Sequence, residues 1–358
     1  MSNPENIEMN KKIFRFVPSL LVSIFLSIYL IGCAISPAPI SDESGDFEFA
    51  ELLEKIRQKE KWPAIAASVI IDGDIYVKAA VGTRKYGTNN WVTVEDKFLI
   101  GSCGKAFTAT LAAILITEGI LEWNTSVGDV FPKIKMHPKW KAITIQHLLT
   151  NRSGYEDYPE TKLLPYDQIM PLWHDNEPPV DMRKKYIKNA INIEPIYKPN
   201  EVVKYANSGF LVAGAMLETL SDGSFENLMQ DRVFNPLELN TAGYGSPATI
   251  DPTSQPYGHS SNSPIQKDFP DYISPMGNVA ISIGDWSKFV LFHLNAYQQD
   301  MNPSVLDSIT IQKLHTPPNS ATWLYDGIRY SYAFGWITVT ESEGNYLLMH
   351  EGQGSSFS

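Results

Sequence analysis

Apolar and polar positions alternate in two different rhythms along this chain. In "FEFAELLEKIRQKEK", Phe47 to Lys61, the apolar residues recur at helical spacing and predict an amphipathic helix. "AIAASVIIDGDIYVKAAVG" follows and reads as a β-hairpin, with strands Ala64 to Ile71 and Ile75 to Val81 joined by an Asp72-Gly73 turn. A second helix, apolar at helical spacing, begins around Ser102 and stops at Gly119. From Thr125 to about Pro275 the chain is rich in Pro, Asn and Gly and carries short helices such as Phe210 to Leu220. Near the end, "YAFGWITVTESEGNYLLMHEG" predicts another hairpin, turning at Ser342 to Asn345. Strands at both ends with a helical insert between them predict an α+β fold. An antiparallel sheet would be built from the N- and C-terminal segments, flanked by helices, with an all-α region inserted.

The first residues follow neither rhythm. Lys11, Lys12 and Arg15 precede an apolar run from Phe16 to Ile31, short for a membrane span and suited to the apolar region of a signal peptide. The run ends in "LIGC", Leu30 to Cys33, which resembles a bacterial lipobox with Cys33 as the lipidated residue. The Pro/Ser/Asp-rich "AISPAPISDESGD", Ala34 to Asp46, reads as a tether. The expected organisation is a lipoprotein signal peptide at 1–33, a tether at 34–46 and one domain at 47–358. The protein would be exported and held on the periplasmic side of the bacterial cell envelope by its lipid, so the membrane is an expected partner.

The chain has 358 residues, 43% hydrophobic and 19% charged, enough apolar content for a large core. A formal charge of −11 without Lys/Arg runs argues against a nucleic-acid partner. The two cysteines are Cys33 and Cys103, so a lipidated Cys33 leaves no disulfide. No Gly-x-Gly-x-x-Gly, P-loop or His-x-x-x-His is present, and no cofactor or metal is expected. A Gly-x-Ser-x-Gly elbow is also missing, which excludes an α/β-hydrolase reading.

Three short patterns carry the candidate chemistry, and each occurs once. Ser102 and Lys105 form Ser-x-x-Lys at the head of the apolar helix, where i and i+3 share a face. A serine needs a base, and burial together with the positive end of a helix disfavours the ammonium of such a lysine. Unpaired N–H groups at the helix start can hold an oxyanion. Read blandly, Ser102 is a helix cap and Lys105 a surface residue. Tyr205-Ala206-Asn207 precedes another helix and is the single Tyr-x-Asn among 17 tyrosines. His350-Glu351-Gly352 ends a predicted strand and is the single His-x-Gly among seven histidines. Taken singly, these read as a core Tyr with a capping Asn and as a strand-end His before a Gly turn.

In this order the three motifs resemble the serine β-lactamase and penicillin-binding-protein superfamily. The Tyr-x-Asn variant resembles its branch of class C β-lactamases, D-Ala-D-Ala carboxypeptidases and related esterases. "FLIGSCGKAFT" looks like the family's nucleophile segment. "ITIQHLLTNRSGY" looks like its Leu-Leu-x-His-x-Ser-Gly block, with Asn151 where His is usual. "VFNPLELNTAG", "SPMGNVAISIGDWSKF" and "YAFGW" also match, so the likeness spans about Phe47 to Ser358.

The resemblance implies a serine hydrolase in which Ser102 is acylated and Lys105 and Tyr205 share the general base and acid work, with either taking the first proton. It implies that Asn207, His350, Gly352 and Gln353 form the substrate-binding set, the N–H of Gln353 facing that of Ser102 across an oxyanion hole. Cys103, beside the nucleophile, reads as a small buried apolar residue. Gly104, Gln353 and Ser356 replace residues that relatives often have as Ser, Gly and Gly. His350 stands where β-lactamases usually carry Lys, and Glu351 where relatives often have Thr or Ser. Relatives continue past the third motif with further strands and a closing helix, so the domain reads as truncated at its C-terminus. The substrate class stays open between a small ester, a D-amino-acid peptide and a β-lactam. A non-catalytic penicillin or peptidoglycan binder of the same fold is the alternative. Replacing Cys33 by Ser should abolish metabolic lipid labelling and release the protein from membranes; labelling that persists in Cys33→Ser would overturn the lipobox reading.

Overall fold

Asp46 opens the first helix by accepting the N–H of Phe49 at 2.9 Å. In this computed structural model helix α1 runs Phe47–Glu60 and buries Ala50, Leu53, Glu54 and Arg57 along one stripe. The structure describes residues 39–157, 177–267, 269–297, 305–319, 322–325, 328–340, 346–354 and 356–357. The predicted signal segment and Cys33 lie outside the described residues. The tether reading of 34–46 is too long at its C-terminal end. Asp46 donates to the Lys78 carbonyl, Val94 donates to that of Glu43, and Gly45 bridges Ala79. Composition marked this stretch as a linker; backbone hydrogen bonds to distant residues make it part of the domain.

Strands β1 (Ala64–Ile71) and β2 (Asp74–Gly82) form the expected hairpin, paired from Ala64↔Gly82 to Ile71↔Asp74. Asp72 and Gly73 both take positive φ, 52° and 89°, which suits the twist of a two-residue hairpin turn. α1 covers the hairpin through a small core of Ala50, Leu53, Ala79 and Val81.

The larger core surrounds two helices that are mostly apolar and buried all round. Helix α2 spans Gly104–Thr117, and its residues from Gly104 to Leu115 are all buried. Two further helices are α3 (Ile145–Leu149) and α4 (Pro179–Ala190). Helix α5 spans Asn207–Ser221 and buries every residue from Ser208 to Glu218. Such helices belong in an interior, where no polar stripe is needed. α5 starts three residues before the apolar pattern does, because its first turn is capped from elsewhere in the chain. Arg183 of α4 reaches Glu218 at 2.6 Å and Glu226 at 2.9 Å, tying α4 to α5 and to helix α6 (Phe225–Met229). Removing one partner of such a buried cluster typically costs about 3–5 kcal/mol.

The short strands β3 (Phe98–Leu99) and β4 (Gly243–Tyr244) both pair with β7 (Val279–Ile281), after a small hairpin β5 (Gly258–Ser260) and β6 (Ser263–Ile265). Helices α7 (Ile283–Asn295) and α8 (Ser308–Leu314) follow. Strands β8 (Trp323–Tyr325), β9 (Ile328–Tyr332), β10 (Ile337–Thr340) and β11 (Tyr346–Met349) make an antiparallel sheet in sequence order. The hairpin expected at the end is β10–β11, with Ile337↔Met349; its turn at 341–345 lies outside the described residues. The α+β class and the helical insert are therefore observed. Among the described residues the N- and C-terminal strands form two separate sheets, since no ladder joins β1 to β11.

Candidate active site

β3 delivers the chain to Ile100 and Gly101, and Gly101 turns it into a single 3₁₀ turn, Gly101–Cys103, that runs into α2. Gly101 has φ 51°, and a Cβ there would meet the backbone N of Gln353 at 2.6 Å. Glycine is needed for both reasons. Ser102 sits on this turn and Lys105 one turn later, on the same face.

The Lys105 side chain is fully buried, and its Nζ donates to three oxygens from three segments. They are Ser102 Oγ at 3.0 Å, Asn207 Oδ1 at 2.8 Å and the Met276 carbonyl at 2.6 Å. Burial pushes its pKa down to about 7, against an opposing pull from the Asp157 carboxylate. Near neutral pH the amine is thus present in both forms. When neutral, Nζ can still donate to Asn207 and Met276 while its lone pair faces the Ser102 hydroxyl.

Tyr205 lies on the segment entering α5. The residue is 37% exposed, and its ring centroid lies 4.8 Å from Lys105 Nζ. Asn151 fixes this segment on both sides of Tyr205: its carbonyl accepts the Lys204 N–H at 2.8 Å and its Oδ1 accepts that of Ala206 at 3.0 Å. Asn151 has φ 54°, a left-handed conformation that Asn tolerates better than most residues. Sequence comparison marked Asn151 only as a departure from His. Asn207 then opens α5.

The third motif runs beside the nucleophile turn. A Cβ on Gly352 would lie 1.9 Å from the Ile100 carbonyl oxygen and 3.2 Å from Cys103 Sγ, so any side chain there would push the strand end away. Gln353 follows, with its backbone N beside Gly101. The backbone of Gln353 thus lies against the turn that carries Ser102.

His350 closes the site. Its Nδ1 donates to the Glu351 carbonyl at 2.7 Å, so Nε2 is the acceptor for the Tyr332 hydroxyl at 3.0 Å. Burial pushes the His350 pKa down to about 4, the Glu351 carbonyl opposing and Lys105 reinforcing it. The ring is neutral at pH 7 and both nitrogens are engaged. Tyr332 is buried and held far above the usual tyrosine pKa, which keeps it the donor. Rings of Tyr205, Tyr332 and His350 pack at centroid distances of 5.9 to 6.4 Å. Tyr332 was missed as a site residue; its one signal was its place at the head of "YAFGW". Cys103 points its Sγ at the His350 carbonyl, 3.6 Å away, and burial pushes its thiol up to about 11. It remains an uncharged thiol, consistent with a packing role.

Ser102, Lys105 and Asn207 thus form one hydrogen-bonded cluster, the Tyr205 ring lies beside Lys105 Nζ, and His350, Gly352 and Gln353 border the Ser102 turn. Cys33 lies outside the described residues.

This chain is similar in fold and in sequence to known proteins. The octameric penicillin-binding protein homologue from Pyrococcus abyssi superposes with a TM-score of 0.70 at 26% identity, covering 86% of this chain and 68% of that one. Penicillin-binding protein 4 of Amycolatopsis lactamdurans is 25% identical over 68% of this chain and 63% of its own length. The unguisins hydrolase ungD' of Aspergillus campestris is 22% identical over 89% of this chain and 59% of its own. The chain therefore spans about three fifths of the length of these curated relatives. The beta-lactamase family model matches residues 49–357, nearly the whole described domain, and this chain belongs to the beta-lactamase family, a fold family of hydrolases.

Proposed function

We propose that the protein is a serine hydrolase that works through an acyl-enzyme on Ser102, with Lys105 and Tyr205 as its general base and acid. The observation that carries this reading is the 3.0 Å contact between Ser102 Oγ and a buried Lys105 Nζ whose pKa is lowered to about 7. A serine with a proton acceptor at that distance and pH is a competent nucleophile. Ser102 Oγ attacks the substrate carbonyl carbon and its proton passes to Nζ. The carbonyl oxygen becomes an oxyanion held by the N–H groups of Ser102 and Gln353. The bond to the leaving group breaks, and the leaving group takes a proton from Lys105 or Tyr205. Water then attacks the acyl-Ser102 ester, loses its proton to the same groups, and releases the acid with the serine restored.

The preferred substrate on this reading is a small neutral ester, ahead of a D-amino-acid peptide or a β-lactam. The latter two carry a carboxylate, which a cation at the third motif would receive. Here that position holds His350, neutral and engaged at both nitrogens. Lys204, next to Tyr205, is paired with Glu156 at 3.3 Å. An ester loses nothing by the missing charge.

Ser102→Ala should remove all covalent labelling by a fluorophosphonate or penicillin probe, read by mass spectrometry. Lys105→Ala and Tyr205→Phe should each lower kcat by roughly 10²–10⁴-fold. Label surviving in Ser102→Ala would put the nucleophile elsewhere. A single stoichiometric adduct without turnover on any ester, peptide or β-lactam would favour the non-catalytic binder. Wild-type protein should hydrolyse p-nitrophenyl acetate or butyrate with a higher kcat/KM than nitrocefin at pH 7, and His350→Lys should move that ratio toward nitrocefin. A wild-type kcat/KM for nitrocefin well above that for the esters would contradict the substrate assignment.

A further inference from the structure

Helix α5 begins without a cap of its own. Its N-cap residue is Ala206, which has no side-chain acceptor, although the first N–H groups of a buried helix need one. The acceptor comes from Asp157, 51 positions earlier in the chain. Its Oδ1 and Oδ2 lie 3.2 and 3.1 Å from the Ser208 N–H, and the Asn207 N–H also points to it. Asn207, on the same turn, is the residue whose Oδ1 receives Lys105 Nζ. The carboxylate and the lysine thus flank one helix end, the first holding its backbone and the second its leading side chain.

We propose that Asp157 is a positioning residue for acyl transfer: it holds the head of α5 so that Asn207 meets Lys105, and it supplies a carboxylate that couples electrostatically to the Lys105 amine. This rests on the acyl-enzyme reading of Ser102 and adds to it a residue outside the three motifs. The surroundings make Asp157 the charged group that matters. Lys105 faces Ser102, Asn207, the Met276 carbonyl and the rings of Tyr205 and Phe210. The two other titratable groups coupled to it, Cys103 and His350, are uncharged at pH 7. Asp157 faces Ser208, the Asn207 backbone, Tyr155 and Tyr186, and burial keeps both tyrosines protonated. Burial raises the Asp157 pKa above the usual carboxylate range, and hydrogen bonds from Ser208 and Asn207 and the charge of Lys105 oppose the rise in part. An anion here favours the protonated lysine, so Asp157 and burial act on Lys105 in opposite directions.

The sign of the effect follows. Without the anion, Lys105 loses its proton at lower pH, and the acid limb of kcat/KM moves down. The test compares full-length wild-type, Asp157→Asn, Asp157→Ala and Asp157→Glu proteins on p-nitrophenyl acetate from pH 5 to 9. Asp157→Asn keeps an acceptor for the Ser208 N–H, and its acid limb should fall by roughly one pH unit. At pH 6 it should keep about half of its plateau, against roughly a tenth for wild type. Asp157→Ala should show the same shift with a lower plateau, because the helix head is released. Asp157→Glu keeps the charge and should leave the limb in place, and it serves if the neutral variants do not fold. Variants that lose rate equally at every pH, with the limb fixed, would reduce Asp157 to a helix cap and overturn the proposal. A moved limb in Asp157→Glu would do the same. Acylation persisting in Ser102→Ala would instead overturn the acyl-enzyme reading, a separate result in the same assay.

Discussion

The burial of one ammonium group organises this molecule. A lysine head group taken out of water is costly unless each N–H direction finds an oxygen. Lys105 finds three, from the Ser102 turn, from the head of α5 and from the Met276 carbonyl. None of these segments is near the others in sequence. Bringing them together goes with the burial of α2 and α5 on every face. Burial, opposed chiefly by the charge of Asp157, leaves the amine with a pKa near 7, which is what general-base work at neutral pH needs.

The second constraint is approach. An oxyanion hole needs a second backbone N–H within a few ångströms of the Ser102 turn, and side chains would keep it out. Gly101 and Gly352 meet across that gap, each leaving no room for a Cβ. The third motif is held from behind by the chain of Tyr332 hydroxyl, His350 ring and Glu351 carbonyl. Burial of the ring, against the pull of the Glu351 carbonyl, discharges it. A histidine in water titrates near pH 6.5, whereas this one stays neutral to about pH 4. The hydrogen bonds orient the ring, and burial sets its charge.

What could be read from the sequence was local. The i, i+3 spacing of Ser102 and Lys105, the Asp72-Gly73 turn and the stripe of α1 all depend on residues within a few positions of one another. The fold class and the three motifs followed from such patterns and from family likeness. The hidden parts act at long range. Asn151 holds the Tyr205 segment from more than fifty residues away, Asp157 caps α5 across a similar separation, and the third acceptor of Lys105 is a backbone carbonyl that any residue could supply. Tyr332 was visible as part of a matching block, but its bond to His350 was not. The tether boundary was misplaced for the same reason, since a Pro/Ser/Asp composition does not reveal that Gly45 bridges Ala79.

The central claim is that Lys105 gives up its proton near neutral pH while in contact with Ser102. It is tested most directly by the single-turnover rate of Ser102 acylation by a neutral ester, followed by quenched-flow mass spectrometry across pH 5 to 10. The account predicts a rate that rises with pH and reaches half its plateau near pH 7, where the buried amine becomes neutral. A rate still climbing at pH 9 to 10, as an ordinary lysine with a pKa of about 10.4 would give, would contradict it.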